Sequence, residues 1–425
     1  MVELQPIFKK AYWSLAAAGL AYVTIIYLLT FPDIQRAALY AHKLNPTLWQ
    51  DVNDVENFGF LKTQVQPFNL KTPDNETLYA WHILPIHLCR EHEDELLNSK
   101  IPPGPAEDVT QTVAFKLLAE NPNARVVVSF HGNAAHLGFE VRPETYRMIL
   151  GTSTPADPVH VFALDYRGYG LSTGSPTEEG LITDGVTLIN YLISPPLNIP
   201  PSRIVIVGQS LGTAVAAGVA ERFAFGSPDP SAAQPVIKDP EPFAGIILLA
   251  SFSNLPNLIE SYSFKGLTPP ILSPLIGYPR VKKFVVDQIV DRWDTAARVA
   301  RLTGVGPSAK DASDAAYADK ELDLAIIHAR DDHEIPWYEG RRVWLSASGQ
   351  TYNDTSGRIV HERSSENGLT EIKIWEKELP GTPTDAVTGK KRVKKVRWER
   401  VGYGGHNRIA TYSAAALAVL RAFEE

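Results

Sequence analysis

Residues 203–212, RIVIVGQSLG, constrain the fold of this chain more than any other stretch. Ile204, Val205, Ile206 and Val207 form an unbroken β-branched run, the pattern of a parallel strand buried on both faces. Gly208, Gln209, Ser210, Leu211 and Gly212 follow, and TAVAAGVAERF then begins an Ala-rich helical pattern. The order is strand, sharp turn, helix. Glycines two before and two after Ser210 remove the Cβ atoms that would collide in so tight a turn, so the serine is expected to stand exposed at the top of a sheet. Taken alone, the five residues also fit a Gly-rich turn with an N-capping serine. The flanking strand and helix are the context that favours a nucleophile.

The rest of the chain alternates in the same way. Buried strands are expected at 125–130 (RVVVSF), 159–166 (VHVFALDY), 243–250 (FAGIILLA) and 322–329 (LDLAIIHA), with helices between several of them. Such alternation argues for a mostly parallel α/β sheet with helices on both faces. An antiparallel hairpin, 63–72 and 77–85, leads into it. Residues 89–105 read as a polar surface excursion before a short helix near 112–120. Ser175 and Glu178 form a capping box with Pro176 at the first helical position, and a helix through Ile193 should follow. Residues 225–242 are a loop insertion, and 253–304 a mostly helical cap insertion broken by Pro269, Pro270, Pro274 and Pro279. After a helix at 337–348, alternating strands at 369–376 and 395–401 suggest an inserted hairpin spanning about 349–395. Its tip carries the basic run 390–394 and is expected to be solvated. A closing helix, 409–425, ends the chain.

Residues 11–31 carry no charge, and at ~1.5 Å per residue they span the ~30 Å hydrocarbon core of a bilayer. Tyr12, Trp13, Tyr27 and Phe31 lie near the two ends, where rings favour the headgroup zone. A cleaved signal peptide is the main rival, but its apolar core would be shorter, ~7 to 15 residues, and would end at a small-residue cleavage site. Lys9 and Lys10 precede the run and should stay cytosolic, which places the C-terminal part in a lumen or outside the cell; a lumenal catalytic domain at the endoplasmic reticulum is the expected location. The sequons at Asn75 and Asn353 would then be glycosylation sites. The expected organisation is a cytosolic 1–10, a transmembrane helix at 11–31, a linker at 32–62 and one catalytic domain at 63–425. With 21% charged residues and a net charge of −7 there is no basic field for nucleic acid. One cysteine, Cys89, excludes an intrachain disulfide framework and a cysteine-rich metal site.

A serine hydroxyl needs a base to take its proton and an acid to orient that base. In the α/β-hydrolase fold these follow the serine in the order acid, then histidine. HARDDHEIP after the strand 322–329 offers Asp331 or Asp332; adjacent side chains on extended backbone point oppositely, and the spacing favours Asp332. His406 in GYGGH, before the last helix, is the expected base, with His361 the rival. The group His328, Asp331, Asp332, His333 and Glu334 lacks the helical spacing of a metal site, so no metal and no cofactor are expected. An ester oxyanion would be held by the backbone N–H groups of Leu211, at a helix N-terminus, and of Asn133, in the loop His131-Gly132-Asn133.

With those residues placed, the chain resembles the membrane-anchored α/β-hydrolase-domain lipases, the group containing monoacylglycerol and lysophosphatidylserine lipases. The likeness rests on WHILP (81–85), HGN (131–133), LDYRGYGLS (164–172), SPTEEG (175–180), GQSLG (208–212) and HARDDHEIP (328–336). It implies Ser210 as nucleophile, Asp332 as acid, His406 as base, a lipid acyl ester as substrate and no cofactor. Insertions separate Asp332 from His406 by 74 positions and leave open which strand precedes the His406 loop. Residues 264–278 would form either a lid or acyl-chain wall, or plain packing at the sheet edge. Acyl-protein thioesterase, serine peptidase and a catalytically silent binding protein are the competing readings.

Overall fold

The computed structural model describes residues 6–43, 50–99, 104–226, 240–262, 270–307, 315–379 and 391–424. Among the described residues, ten strands form one sheet: β1 (Val65–Lys71), β2 (Thr77–Ile83), β3 (Arg125–Phe130), β4 (Val159–Leu164), β5 (Ile204–Gln209), β6 (Gly245–Leu249), β7 (Leu322–Ala329), β8 (Arg358–Ser364), β9 (Glu371–Glu378) and β10 (Val393–Val401). Their spatial order is β1-β2-β4-β3-β5-β6-β7-β10-β9-β8. The six from β4 to β10 in that order are parallel, and the outer pairs at both edges are antiparallel.

Why the central strands read as continuous apolar runs is clear from their neighbours. Val126, Ile204, Ile206, Ile246 and Leu324 face one core, which also holds helices Glu178–Ile193, Leu211–Phe225, Thr295–Thr303 and Trp337–Ala347. Val127, Val205, Val207, Ile247 and Ile327 face the other, against helices Arg142–Leu150 and Ser413–Glu424. Successive side chains thus meet apolar surroundings on alternate faces.

Several expectations shift. The N-terminal helix runs Pro6–Leu28 rather than 11–31, and Phe31 begins a second helix, Pro32–Tyr40, with proline at its first position. Within 32–62, read as linker, Tyr40, Val52, Val55, Phe58 and Phe60 are buried in the two cores. The helix expected to start from a Ser175–Glu178 box is instead capped by Thr177, whose hydroxyl accepts from Gly180 N–H. Glu178 is drawn away to Arg298, at 2.7 Å, and to the Trp293 N–H. The excursion after Pro85 holds two short helices, Ile86–Glu91 and Glu93–Asn98. The inserted hairpin is present as β9–β10, but it gains a third strand, β8, exposed along its whole length and hence without an apolar signature. Lys394 is not at a solvated tip. It is 1% exposed at the start of β10, and its ammonium donates to the carbonyls of Leu302 and Tyr317. Residues 227–239 of the loop insertion, 263–269 of the cap and 380–390 of the hairpin tip lie outside the described residues.

Candidate active site

The turn after β5 is strained in the way its sequence requires. Ser210 has φ 54° and ψ −121°, and the helix begins at the next residue. A Cβ on Gly212 would lie 2.0 Å from the Phe130 carbonyl oxygen, and one on Gly208 2.3 Å from the Gly212 oxygen. Only hydrogen fits at either position, so β3, β5 and the helix close tightly and lift Ser210 above the sheet edge.

The loop after β7 and the loop after β10, a parallel neighbour of β7, bring the other two groups to it. Ser210 Oγ lies 2.8 Å from His406 Nε2, and His406 Nδ1 lies 2.9 Å from Asp332 Oδ2. A carboxylate only accepts, so Nδ1 carries the ring proton and Nε2 is left bare toward the serine hydroxyl. The two aspartates divide the work: Asp331 accepts the Gly405 N–H at 2.8 Å, fixing the GYGGH turn, while Asp332 takes the imidazole. His361 stands on exposed β8, at the far edge of the sheet.

Asp332 is saturated with donors. Its Oδ1 accepts from the Glu334 and Ile335 N–H groups, and its Oδ2 also accepts from His328 Nε2 at 3.2 Å. Burial opposes its ionisation, but His406, His328 and these hydrogen bonds outweigh that, and its carboxyl stays well below the usual range. For His406, burial works against the imidazolium, yet the charge and hydrogen bond of Asp332 prevail and hold it above its ordinary value.

Leu211 and Asn133, the expected oxyanion donors, line one cavity with Ser210 and His406. What holds the Asn133 loop was not visible in the sequence. Arg142 donates to four carbonyls, those of Gly132 (3.1 Å), Asn133 (2.8 Å), Ala134 (3.1 Å) and His136 (2.6 Å). Ala134 and Ala135 both have positive φ, a conformation that needs such restraint. Asp165 secures the far end by accepting the Leu137 N–H at 2.6 Å. The LDYRGYG motif therefore serves the loop from behind. Nothing local marks Arg142, a single arginine nine positions after Asn133.

Two cavities meet at Ser210, His406, Asn133 and Glu334. One, of about 300 Å³, is mainly apolar, with Leu39, Leu255, Leu258 and Ile289 among its walls. The other, of about 240 Å³, is the more polar of the two, with Glu140, Arg142, Gln209 and Asn407 beside Phe139 and Val141. Such a pair suits a molecule with one greasy and one polar half divided at the reacting bond. Among the described residues, no group of His, Cys, Asp and Glu has the makings of a metal site.

A strand–tight turn–helix elbow carrying Ser210 on a six-stranded parallel core, with Asp332 after β7 and His406 after β10 hydrogen-bonded to it in a chain, is the arrangement of an α/β-hydrolase. The sequence profile of the alpha/beta hydrolase family matches residues 126–362, more than half of the 425. The chain belongs to that family and is a hydrolase. It is similar to the lysophosphatidylserine lipase ABHD12 of Danio rerio, 24% identical over 335 residues, which cover 79% of this chain and 72% of that protein. The Mus musculus lysophosphatidylserine lipase ABHD12 is 24% identical over 341 residues, covering 80% and 70%. Protein bem46 of Schizosaccharomyces pombe is 38% identical over 111 residues, 26% of this chain and 35% of its own. The crystal structure of an alpha-beta hydrolase from Vibrio vulnificus shares the fold, with a TM-score of 0.50, 16% identity and coverage of 91% and 92%.

Proposed function

We propose that this chain is a single-pass membrane serine hydrolase that cleaves the acyl ester of a monoacylglycerol or lysophospholipid through an acyl-enzyme on Ser210. The observation that carries the proposal is the Ser210–His406–Asp332 hydrogen-bond chain at the junction of an apolar and a polar cavity. The named activity of the lysophosphatidylserine lipases to which the chain is similar supports it. His406 takes the hydroxyl proton as Oγ attacks the ester carbonyl, and Asp332 stabilises the imidazolium that forms. The N–H groups of Leu211 and Asn133 receive the oxyanion. His406 then gives its proton to the departing alcohol oxygen, and water repeats the sequence to release the fatty acid. The acyl chain occupies the apolar cavity and the head group the polar one.

On this reading the helix Pro6–Leu28 anchors the enzyme in the endoplasmic reticulum membrane, the lumenal catalytic domain takes in 32–62 as well as 63–425, and 253–304 caps the acyl site. Ser210→Ala is expected to abolish both fluorophosphonate labelling and hydrolysis of monoacylglycerol and lysophosphatidylserine in mixed vesicles. Labelling that persists in that variant would overturn the nucleophile assignment.

A further inference from the structure

A simple tether would hang from the catalytic body by a loose linker, but this N-terminus is fastened at many points. Of the helix Pro6–Leu28 only Ile26 is buried, and it lines the apolar cavity that ends at Ser210, together with Leu29 from the turn that follows. The second helix adds Gln35, Arg36 and Leu39 to the same wall. Across from them stand Ile271, Val285 and Ile289 of the cap.

Polar contacts hold the two sides in register. Gln35 donates to the Gln288 carbonyl at 2.7 Å and accepts the Val290 N–H at 3.1 Å. Arg36 places two nitrogens on Asp291, at 3.0 and 3.3 Å, and Tyr40 donates its hydroxyl to the same carboxylate at 2.9 Å. Closer to the chemistry, the Asn133 side-chain amide donates to the Leu39 carbonyl at 3.0 Å, and the Ala134 N–H to the Tyr40 carbonyl at 3.1 Å. The second helix is thus hydrogen-bonded to the loop that carries the proposed oxyanion donor. Higher up, the Tyr22 hydroxyl donates to the Ile271 carbonyl at 3.2 Å, which ties the cap to the apolar helix itself.

We infer that the two N-terminal helices form one wall of the acyl-chain site, and that a long acyl chain passes from the bilayer into this cavity between the helix end at Ile26–Leu29 and the cap at Ile271–Ile289. The inference rests on the reading of the substrate as a lipid acyl ester and of the helix Pro6–Leu28 as the membrane span. Every methylene drawn through water would carry a hydrophobic cost, and a route walled by a membrane-spanning helix avoids it. Ile276, Val281 and Phe284, exposed on the cap, extend the apolar surface beside the entrance.

The test uses the full-length protein in vesicles and a fluorophosphonate whose long alkyl chain ends in a diazirine. Once the phosphorus is bonded to Ser210 with loss of fluoride, irradiation should cross-link the chain end to the segment 26–39. Cross-links confined to other segments would overturn the inference, while failure of the wild type to react at all would count against the proposed function instead. In a second experiment, Leu39→Trp, which fills the cavity from the anchor side, should lower the ratio of long-chain to butyryl ester hydrolysis at least tenfold. An unchanged ratio in folded variant would also overturn the inference.

Discussion

At the scale of single residues, the site turns on which groups are spent and which are free to react. Asp331 and Asp332 are chemically the same and adjacent, yet one holds a backbone N–H of the histidine loop and the other the imidazole. The pH dependence of kcat/KM should show this. In the proposed mechanism a neutral His406 accepts the serine proton, and its pKa is raised, so activity is expected to fall as pH drops through a value above about 6.5. Asp332→Asn removes the charge that holds it there. The acid limb should then move to lower pH, and kcat should fall on the order of 10³-fold or more; pH–rate profiles of both proteins check this. Arg142 acts at one remove, as a positioning residue. Lysine keeps the charge but cannot reach four carbonyls with one ammonium. Arg142→Lys is therefore expected to lower kcat by about 10²-fold, the effect of a misplaced oxyanion donor, with KM for a short-chain ester changed far less; steady-state kinetics beside thermal unfolding would separate this from a loss of fold.

At the scale of elements, the elbow is a packing device before it is a catalytic one. Gly212 lies where any side chain would strike the backbone of Phe130, and backbone yields less readily than a flexible side chain. Gly212→Ala is expected to destabilise the protein by about 3 kcal/mol or more, read as a lowered denaturant midpoint. The LDYRGYG stretch is another element whose role lies in support. Arg167 pairs with Asp74 at 2.6 Å and with fully buried Asp184 at 2.8 Å, and this fastens the β4 loop to the helix Glu178–Ile193. Sequence patterns located nearly all of these elements because their apolar periodicity is strong. They missed β8, whose seven residues are all exposed, and misplaced the helix cap, where Ser175 and Thr177 are both good caps and Arg298, distant in sequence, drew Glu178 elsewhere.

At the scale of the whole molecule, the proposed lumenal orientation makes a separable prediction. Asn75 and Asn353 are both exposed, each in a turn with positive φ. In sealed microsomes the catalytic domain should resist added protease, and glycosidase treatment should increase its gel mobility unless both asparagines are replaced. Ready digestion without detergent would place the domain on the cytosolic side.

The sequence by itself determined the parallel core of the sheet, the elbow and the chain order of Ser210, Asp332 and His406, because each is written in local terms: apolar runs, glycines at fixed offsets, polar residues at strand ends. It also marked the apolar N-terminal helix. Only the tertiary structure decided which aspartate meets His406, that Arg142 clamps the Asn133 loop, and that the N-terminal helices wall the cavity rather than merely leading up to it. Those contacts join residues far apart in the chain, such as Arg36 with Asp291 and Asn133 with Leu39. Polar side chains of this kind carry no periodicity, so their partners are fixed only when the sheet and cap bring distant loops to one edge.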